Sequence, residues 1–122
     1  MKMEFMDFEG KVAIVTGAGS ARGLGIAACK QFAGYGANVV IADIDEEGAK
    51  ANAKMIEETY GTKALAVKVD LCSEDSIKAM VKTTIDTFGK VDILVNNAGV
   101  SIPHAYDEIS LEEWNKIGRA HV

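Results

Sequence analysis

The sequence has 122 residues, a length that accommodates one small domain. Hydrophobic residues make up 48% and charged residues 25%, with 12 glycines and one proline, which excludes a disordered, low-complexity or collagen-like chain. Thirteen basic against 18 acidic side chains give a net charge of −5, which disfavours nucleic acid as a partner, and the apolar runs fall far short of the roughly 20 residues of a membrane span.

The opening residues, Met1-Lys2-Met3-Glu4-Phe5-Met6-Asp7, are interrupted by acids and carry no apolar signal core. Lys11-Val12-Ala13-Ile14-Val15-Thr16 is apolar on both faces, the pattern of a parallel strand buried on both sides. A glycine-rich turn follows. The spacing then predicts a helix from Gly23 to about Ala33, with Leu24, Ala28 and Phe32 on one face and Gly34 and Gly36 as a stop. Asn38-Val39-Val40-Ile41-Ala42-Asp43 is a second buried strand. Asp45 suits an N-cap for a helix through Tyr60, with Ala49, Ala53, Ile56 and Tyr60 on one face and Gly61 ending it.

Ala64-Leu65-Ala66-Val67-Lys68-Val69-Asp70 is a third strand. Ser73 caps the next helix, striped by Ile77, Met80, Val81, Thr84, Ile85 and Phe88 and closed by Gly89. Val91-Asp92-Ile93-Leu94-Val95 is a fourth strand. Ser110 and Glu113 form a capping box, and Ile109 and Trp114 a hydrophobic staple, at the start of one more helix. Alternating strands and helices imply right-handed crossovers and a parallel sheet covered on both faces. Cys29 and Cys72 have neither disulfide nor metal-ligand spacing. Both are expected to be reduced thiols in or near a core, in a cytoplasmic protein.

Thr16-Gly17-Ala18-Gly19-Ser20-Ala21-Arg22-Gly23-Leu24-Gly25 joins the first strand to the first helix. Glycines there let the backbone approach a pyrophosphate, and the helix points its free N–H groups at the phosphates. Asp43 follows about 20 residues on, at a strand end, where a carboxylate can accept from a ribose hydroxyl. An ordinary turn and an unrelated surface acid are the alternative.

These residues resemble the short-chain dehydrogenase/reductase family, in particular its 3-oxoacyl-acyl-carrier-protein reductase-like members. The family's loop is Thr-Gly, three residues, Gly, one residue, Gly; here five residues separate Gly17 from Gly23. Asn96-Asn97-Ala98-Gly99 matches a second signature in full, Asp70-Leu71 a third, and Phe8-Glu9-Gly10-Lys11-Val12 the usual opening. The resemblance implies a doubly wound, Rossmann-like α/β fold with strand order 3-2-1-4, ending after the fourth strand and the start of the following helix. It assigns cofactor contacts to Gly17, Ser20, Arg22, Gly23, Leu24 and Gly25 in the loop, to Asp43 and Ile44, to Asp70 and Leu71 beside the adenine, and to Asn97, Ala98 and Gly99.

The implied activity is hydride transfer between a nicotinamide dinucleotide and a small carbonyl or alcohol, in a parent homodimer or homotetramer. NAD is favoured over NADP, because the charge of Asp43 opposes a 2′-phosphate. Arg22 argues the other way, since it resembles an arginine that holds that phosphate; a plain exposed loop cation is its alternative. The family's catalytic Ser and its Tyr with a Lys four residues on are not matched: Val39, Ala64 and Ser110 follow Tyr35, Tyr60 and Tyr106 at that spacing. His104 and His121 read as solvated residues. The chain by itself is therefore expected to be inactive. A non-catalytic dinucleotide-binding module is the runner-up, and a receiver-type or flavodoxin-like domain, which leaves the glycine loop unexplained, the third reading.

Residues 1–116 read as the amino-terminal part of one dinucleotide-binding domain. Ile117-Gly118-Arg119-Ala120-His121-Val122 does not continue the helix begun at Trp114. One codon choice, ATC GGA AGA GCA CAC GTC, matches a common sequencing adaptor. Residues 117–122 are therefore expected to be a non-native tail. Finding those codons in genomic DNA would refute that reading.

Overall fold

The computed structural model describes residues 7–98. Four strands and three helices alternate: β1 (Val12–Thr16), α1 (Leu24–Gly34), β2 (Asn38–Asp43), α2 (Glu46–Tyr60), β3 (Ala64–Lys68), α3 (Glu74–Phe88) and β4 (Ile93–Val95). The strands form one parallel sheet in the order β3-β2-β1-β4, as expected. Gly99, the capping box expected at Ser110 and residues 117–122 lie outside the described residues.

Period-two alternation divides the strand residues between two cores. Ala13, Val15, Val39 and Ile41 point to one face, where Ile26, Cys29 and Ala33 of α1 and Ala49, Ala53 and Ile56 of α2 cover them. Val12, Ile14, Val40, Ala42 and Val67 point to the other, covered by Met80 with Ile77 and Phe88 of α3. All five residues of β1 are buried, which is why that strand reads as a continuous apolar run. The crossovers from β1 to β3 run one way and the crossover to β4 runs back. The right-handed rule then places α1 and α2 on one face and α3 on the other.

Caps set the helix boundaries. Asp45 accepts from the Gly48 N–H and Ser73 from the Ser76 N–H, as their positions suggested. Gly61 and Gly89 close α2 and α3 at φ 73° and 83°, a left-handed conformation that residues with a Cβ resist.

Four expectations need correction. Leu24 is 80% exposed: α1 buries Ile26, Cys29 and Ala33 against the sheet, with Ala28 and Phe32 half-buried against the same core, so of the expected face only Leu24 turns to solvent. With this rotation the helix brings Gly25 so close to the loop that a β-carbon there would stand 2.6 Å from the Gly17 carbonyl oxygen. In α3 only Met80 and Thr84 are buried, while Val81 and Ile85 stay exposed. Leu94 is exposed as well, and among the described residues β4 pairs with β1 alone, so nothing described covers this part of the α3 face. β3 stops at Lys68, and the N–H of Asp70 goes to Ser76 Oγ instead of a neighbouring strand; β4 begins at Ile93, with Asp92 still joined to β1 through its N–H on the Val12 carbonyl. Cys72 is exposed in the turn after β3, where its N–H donates to Asp70 Oδ1; only Cys29 is a core thiol.

Candidate functional site

The carboxyl ends of β1, β2 and β4 lie at one end of the sheet, and the chain departs from β1 toward β2 and returns on the far side as β4. In open α/β sheets such a reversal opens a crevice outside the strand ends. The loop 17–23 crosses this crevice between β1 and α1.

Thr16, 1% exposed, ties the loop's origin to the segment after β4. Its hydroxyl accepts from the N–H groups of Asn97 (3.1 Å) and Ala98 (3.2 Å) and donates to the Val95 carbonyl (3.3 Å). Asn97 Nδ2 donates back to the Gly17 carbonyl at 3.2 Å. Gly17 has φ 70°, and a β-carbon there would stand 2.7 Å from the Ala98 Cα. On Gly25 a β-carbon would stand 2.6 Å from the Gly17 oxygen. The close approach of three backbone segments therefore demands glycine at both positions.

Asp43, at the end of β2, is bound into the loop. Its Oδ2 accepts from the Gly19 N–H at 2.8 Å and its Oδ1 from the Asp45 N–H at 2.9 Å. The half-buried carboxylate retains lone pairs for a further donor. Ser20 and Arg22 are exposed on the outer part of the loop, where the Arg22 N–H donates to Ser20 Oγ at 3.2 Å. Gly23, Leu24 and Ile44 are exposed at the same end.

The N-terminus of α1 differs from those of α2 and α3. It has no side-chain cap and no acid in its first turn, whereas α2 begins with Asp45, Glu46 and Glu47 and α3 with Ser73, Glu74 and Asp75. Free N–H groups and an uncompensated positive dipole end suit an anion.

Asp70 and Leu71 occupy the turn after β3, one strand beyond Asp43. The Asp70 N–H donates to Ser76 Oγ, and its Oδ1 accepts from the Cys72 N–H, so the carboxylate is held but exposed. The structure thus gathers Gly17, Gly25, Asn97 and Ala98 into one contact set and joins Asp43 to it through Gly19. Asp70 and Leu71 stand apart on the flank. Gly99 lies outside the described residues.

Sequence reasoning missed Gly48 and Asn52, both on α2. A β-carbon on Gly48 would overlap the Gly19 carbonyl oxygen. Asn52 is 6% exposed, and its Nδ2 donates to the carbonyls of Ala18 (2.6 Å) and Ser20 (2.8 Å). A glycine in a first helical turn, and an amide on the stripe of Ala49, Ala53 and Ile56, were the available signals. Among the described residues no cluster of His, Cys, Asp and Glu could hold a metal, and no helix is long and apolar enough to cross a membrane.

A parallel sheet in this order, with a glycine loop and an uncapped helix at its point of reversal, is a Rossmann-like α/β fold. The chain belongs to the short chain dehydrogenase family, whose family model matches residues 11–120. An oxidoreductase of Thermotoga maritima, itself described as uncharacterized, is 44% identical over 114 residues, 93% of this chain and 43% of that protein. The crystal structure of 3-ketoacyl-(acyl-carrier-protein) reductase from Brucella melitensis complexed with NADH is similar at a TM-score of 0.81 and 43% identity, over 93% of this chain and 45% of that one. L-Sorbose reductase from Gluconobacter frateurii, complexed with NADPH and L-sorbose, is similar at a TM-score of 0.83 and 35% identity, over 89% and 41%. The chain spans less than half the length of these relatives.

Proposed function

We propose that this chain is the dinucleotide-binding half of an NAD(P)-dependent oxidoreductase that interconverts a carbonyl and an alcohol. The observation that carries this reading is the glycine loop clamped across the strand-order reversal, with Asp43 bound to it through the Gly19 N–H. The site fits such a ligand in three respects: β-carbons are excluded at Gly17 and Gly25, the α1 N-terminus is uncapped, and a carboxylate stands at the end of β2.

In this reading the loop from Gly17 to Gly25 and the first turn of α1 bind the pyrophosphate through backbone N–H groups. Asp43 accepts from the adenosine ribose and, with Ile44, sets the edge of that pocket. Asp70 and Leu71 flank the adenine. Asn97, Ala98 and Gly99 line the inner side, where Thr16 holds the first two. The bound dinucleotide supplies the hydride. Acid–base residues come from the remainder of the protein, since none of the three tyrosines here has a lysine four residues on.

NAD is the preferred form. In this reading the Asp43 carboxylate faces the ribose hydroxyl that carries the extra phosphate in NADP, and two like charges at close range in a half-buried site repel. Both the NADH and the NADPH complexes among the relatives are compatible with the fold, so the preference rests on Asp43. The test is titration of the full-length protein with NADH and NADPH, followed by hydride transfer with a panel of ketones and aldehydes. Tighter binding of NADH supports the reading. Binding of neither would overturn it, and tighter binding of NADPH would overturn the preference.

A further inference from the structure

Asn52 lies on α2 and is not itself among the positions assigned to the cofactor, yet by two hydrogen bonds it holds the loop that is. Its amide donates both protons to the carbonyls of Ala18 and Ser20, and its burial keeps water from replacing them. Between those two carbonyls, the Gly19 oxygen rests against Gly48 of the same helix, where no β-carbon fits. Three consecutive loop carbonyls therefore face α2.

None of the described peptide bonds is cis, and in a trans peptide the N–H points opposite to the C=O. The Ala18–Gly19 unit is accordingly held at both ends, by Asn52 at its oxygen and by Asp43 at its N–H. The Ser20–Ala21 unit is held at its oxygen, which turns the Ala21 N–H away from α2 toward the outer side of the loop. This loop is two residues longer than the family's common form, so its middle needs a support that a shorter loop does not.

We propose that Asn52 is a positioning residue for the dinucleotide: from α2 it fixes the peptide orientations of Ala18–Ala21, so that the loop meets the pyrophosphate and ribose already shaped. The inference rests on the dinucleotide reading above. A loop that must be ordered on binding loses affinity for the ligand, while chemistry at a distant carbon is untouched once the site is saturated.

The test uses the full-length protein and two nearly isosteric variants. Asn52→Val removes both donors; Asn52→Thr keeps one. The proposal expects Asn52→Val to raise KM for the dinucleotide about tenfold with kcat within about twofold, and Asn52→Thr to recover part of the loss. Equal KM values in wild type and a folded Asn52→Val overturn it. A parallel fall of kcat with no change of KM overturns it too, as does failure of both variants to fold, which would make Asn52 only a core requirement. If Asn52→Val alone fails to fold, the KM of Asn52→Thr decides. Should the wild-type protein bind no dinucleotide at all, the functional reading fails rather than the role of Asn52 within it.

Discussion

The Asp43 carboxylate accepts the Gly19 N–H at 2.8 Å, so the acid that closes β2 also fixes the middle of the loop that follows β1. Two elements 24 residues apart in sequence are thereby one unit. The other carboxylate oxygen takes the Asp45 N–H and orients the entry to α2. Replacing Asp43 by asparagine removes the charge and sets an NH2 group against one of those two N–H donors. In the full-length protein, Asp43→Asn is expected to weaken NADH binding by about tenfold or more, equivalent to losing one charge-assisted hydrogen bond of ~1.5–3 kcal/mol. NADPH binding should weaken less, because repulsion is relieved at the same time. Fluorescence titration with both cofactors gives the ratio; an unchanged ratio would show that Asp43 does not select the ribose.

Gly25 and Gly61 separate two reasons for using glycine. Gly61 has φ 73° with open space around its Cα, so Gly61→Ala carries only the left-handed backbone penalty, about 1 kcal/mol. Gly25 is helical, but a β-carbon would meet Gly17 O at 2.6 Å and Asn97 Nδ2 at 2.8 Å. Those are backbone and hydrogen-bonded neighbours that cannot swing aside. Gly25→Ala is therefore expected to cost about 1–3 kcal/mol and to push the loop off the segment after β4. Urea denaturation should rank Gly25→Ala as the more damaging change. It should also be the one that impairs dinucleotide binding.

The four strands and the caps at Asp45 and Ser73 were legible because each follows a local rule: continuous apolar runs, short polar caps, a glycine stop. The sheet order came from the family resemblance, since no local pattern reports which strands pair. The rotation of α1 was not. Ala28 and Phe32 pack at the edge of the core that Ile26, Cys29 and Ala33 fill, but Leu24 faces solvent, and the close approach of Gly25 to Gly17 that accompanies this rotation is reported by no periodicity. The α3 stripe misled for a related reason: its width reflects more surface than the described sheet covers, so Val81 and Ile85 stay exposed. Within the site, Gly17, Gly25 and Asp43 stood out in sequence because of their spacing. Asn52 did not, because an amide on a helix face shows its purpose only when two carbonyls from another element are brought to it.

The two cysteines are expected to behave oppositely. Burial pushes the Cys29 thiol up to about 12, against an ordinary value of 9.0. Its neutral form is thus favoured by folding: the stabilisation is present below pH 9 and is lost as pH rises toward 12. At neutral pH Cys29 carries negligible thiolate and is shielded by α1 and the sheet. Cys72 is exposed in the turn after β3. A thiol-specific disulfide reagent should therefore modify Cys72 quickly in the native protein and Cys29 only on unfolding. Cys72→Ser should remove that modification, and rapid labelling mapped to Cys29 by peptide mass would show that the α1 face opens.

Asp92 fastens the opposite end of the sheet, where its Oδ2 accepts the Val12 N–H at 2.9 Å and pairs with Lys90 Nζ at 3.1 Å. The Val12 hydrogen bond first, and then Lys90, hold its carboxyl below the ordinary value of 3.8. A carboxyl depressed by folding stabilises the protein above its unfolded pKa. That contribution is lost as pH falls through the folded pKa. The acid limb of a stability profile should therefore steepen below pH ~4. Asp92→Asn keeps an oxygen for the Val12 N–H but cannot ionise, so its profile should be flatter there. Above pH ~5 the variant should be the less stable of the two, and the curves should converge as Asp92 is protonated in the wild type. Parallel profiles from pH ~2 to ~7 would mean that the Val12 and Lys90 contacts do not bias the carboxyl toward its charged form.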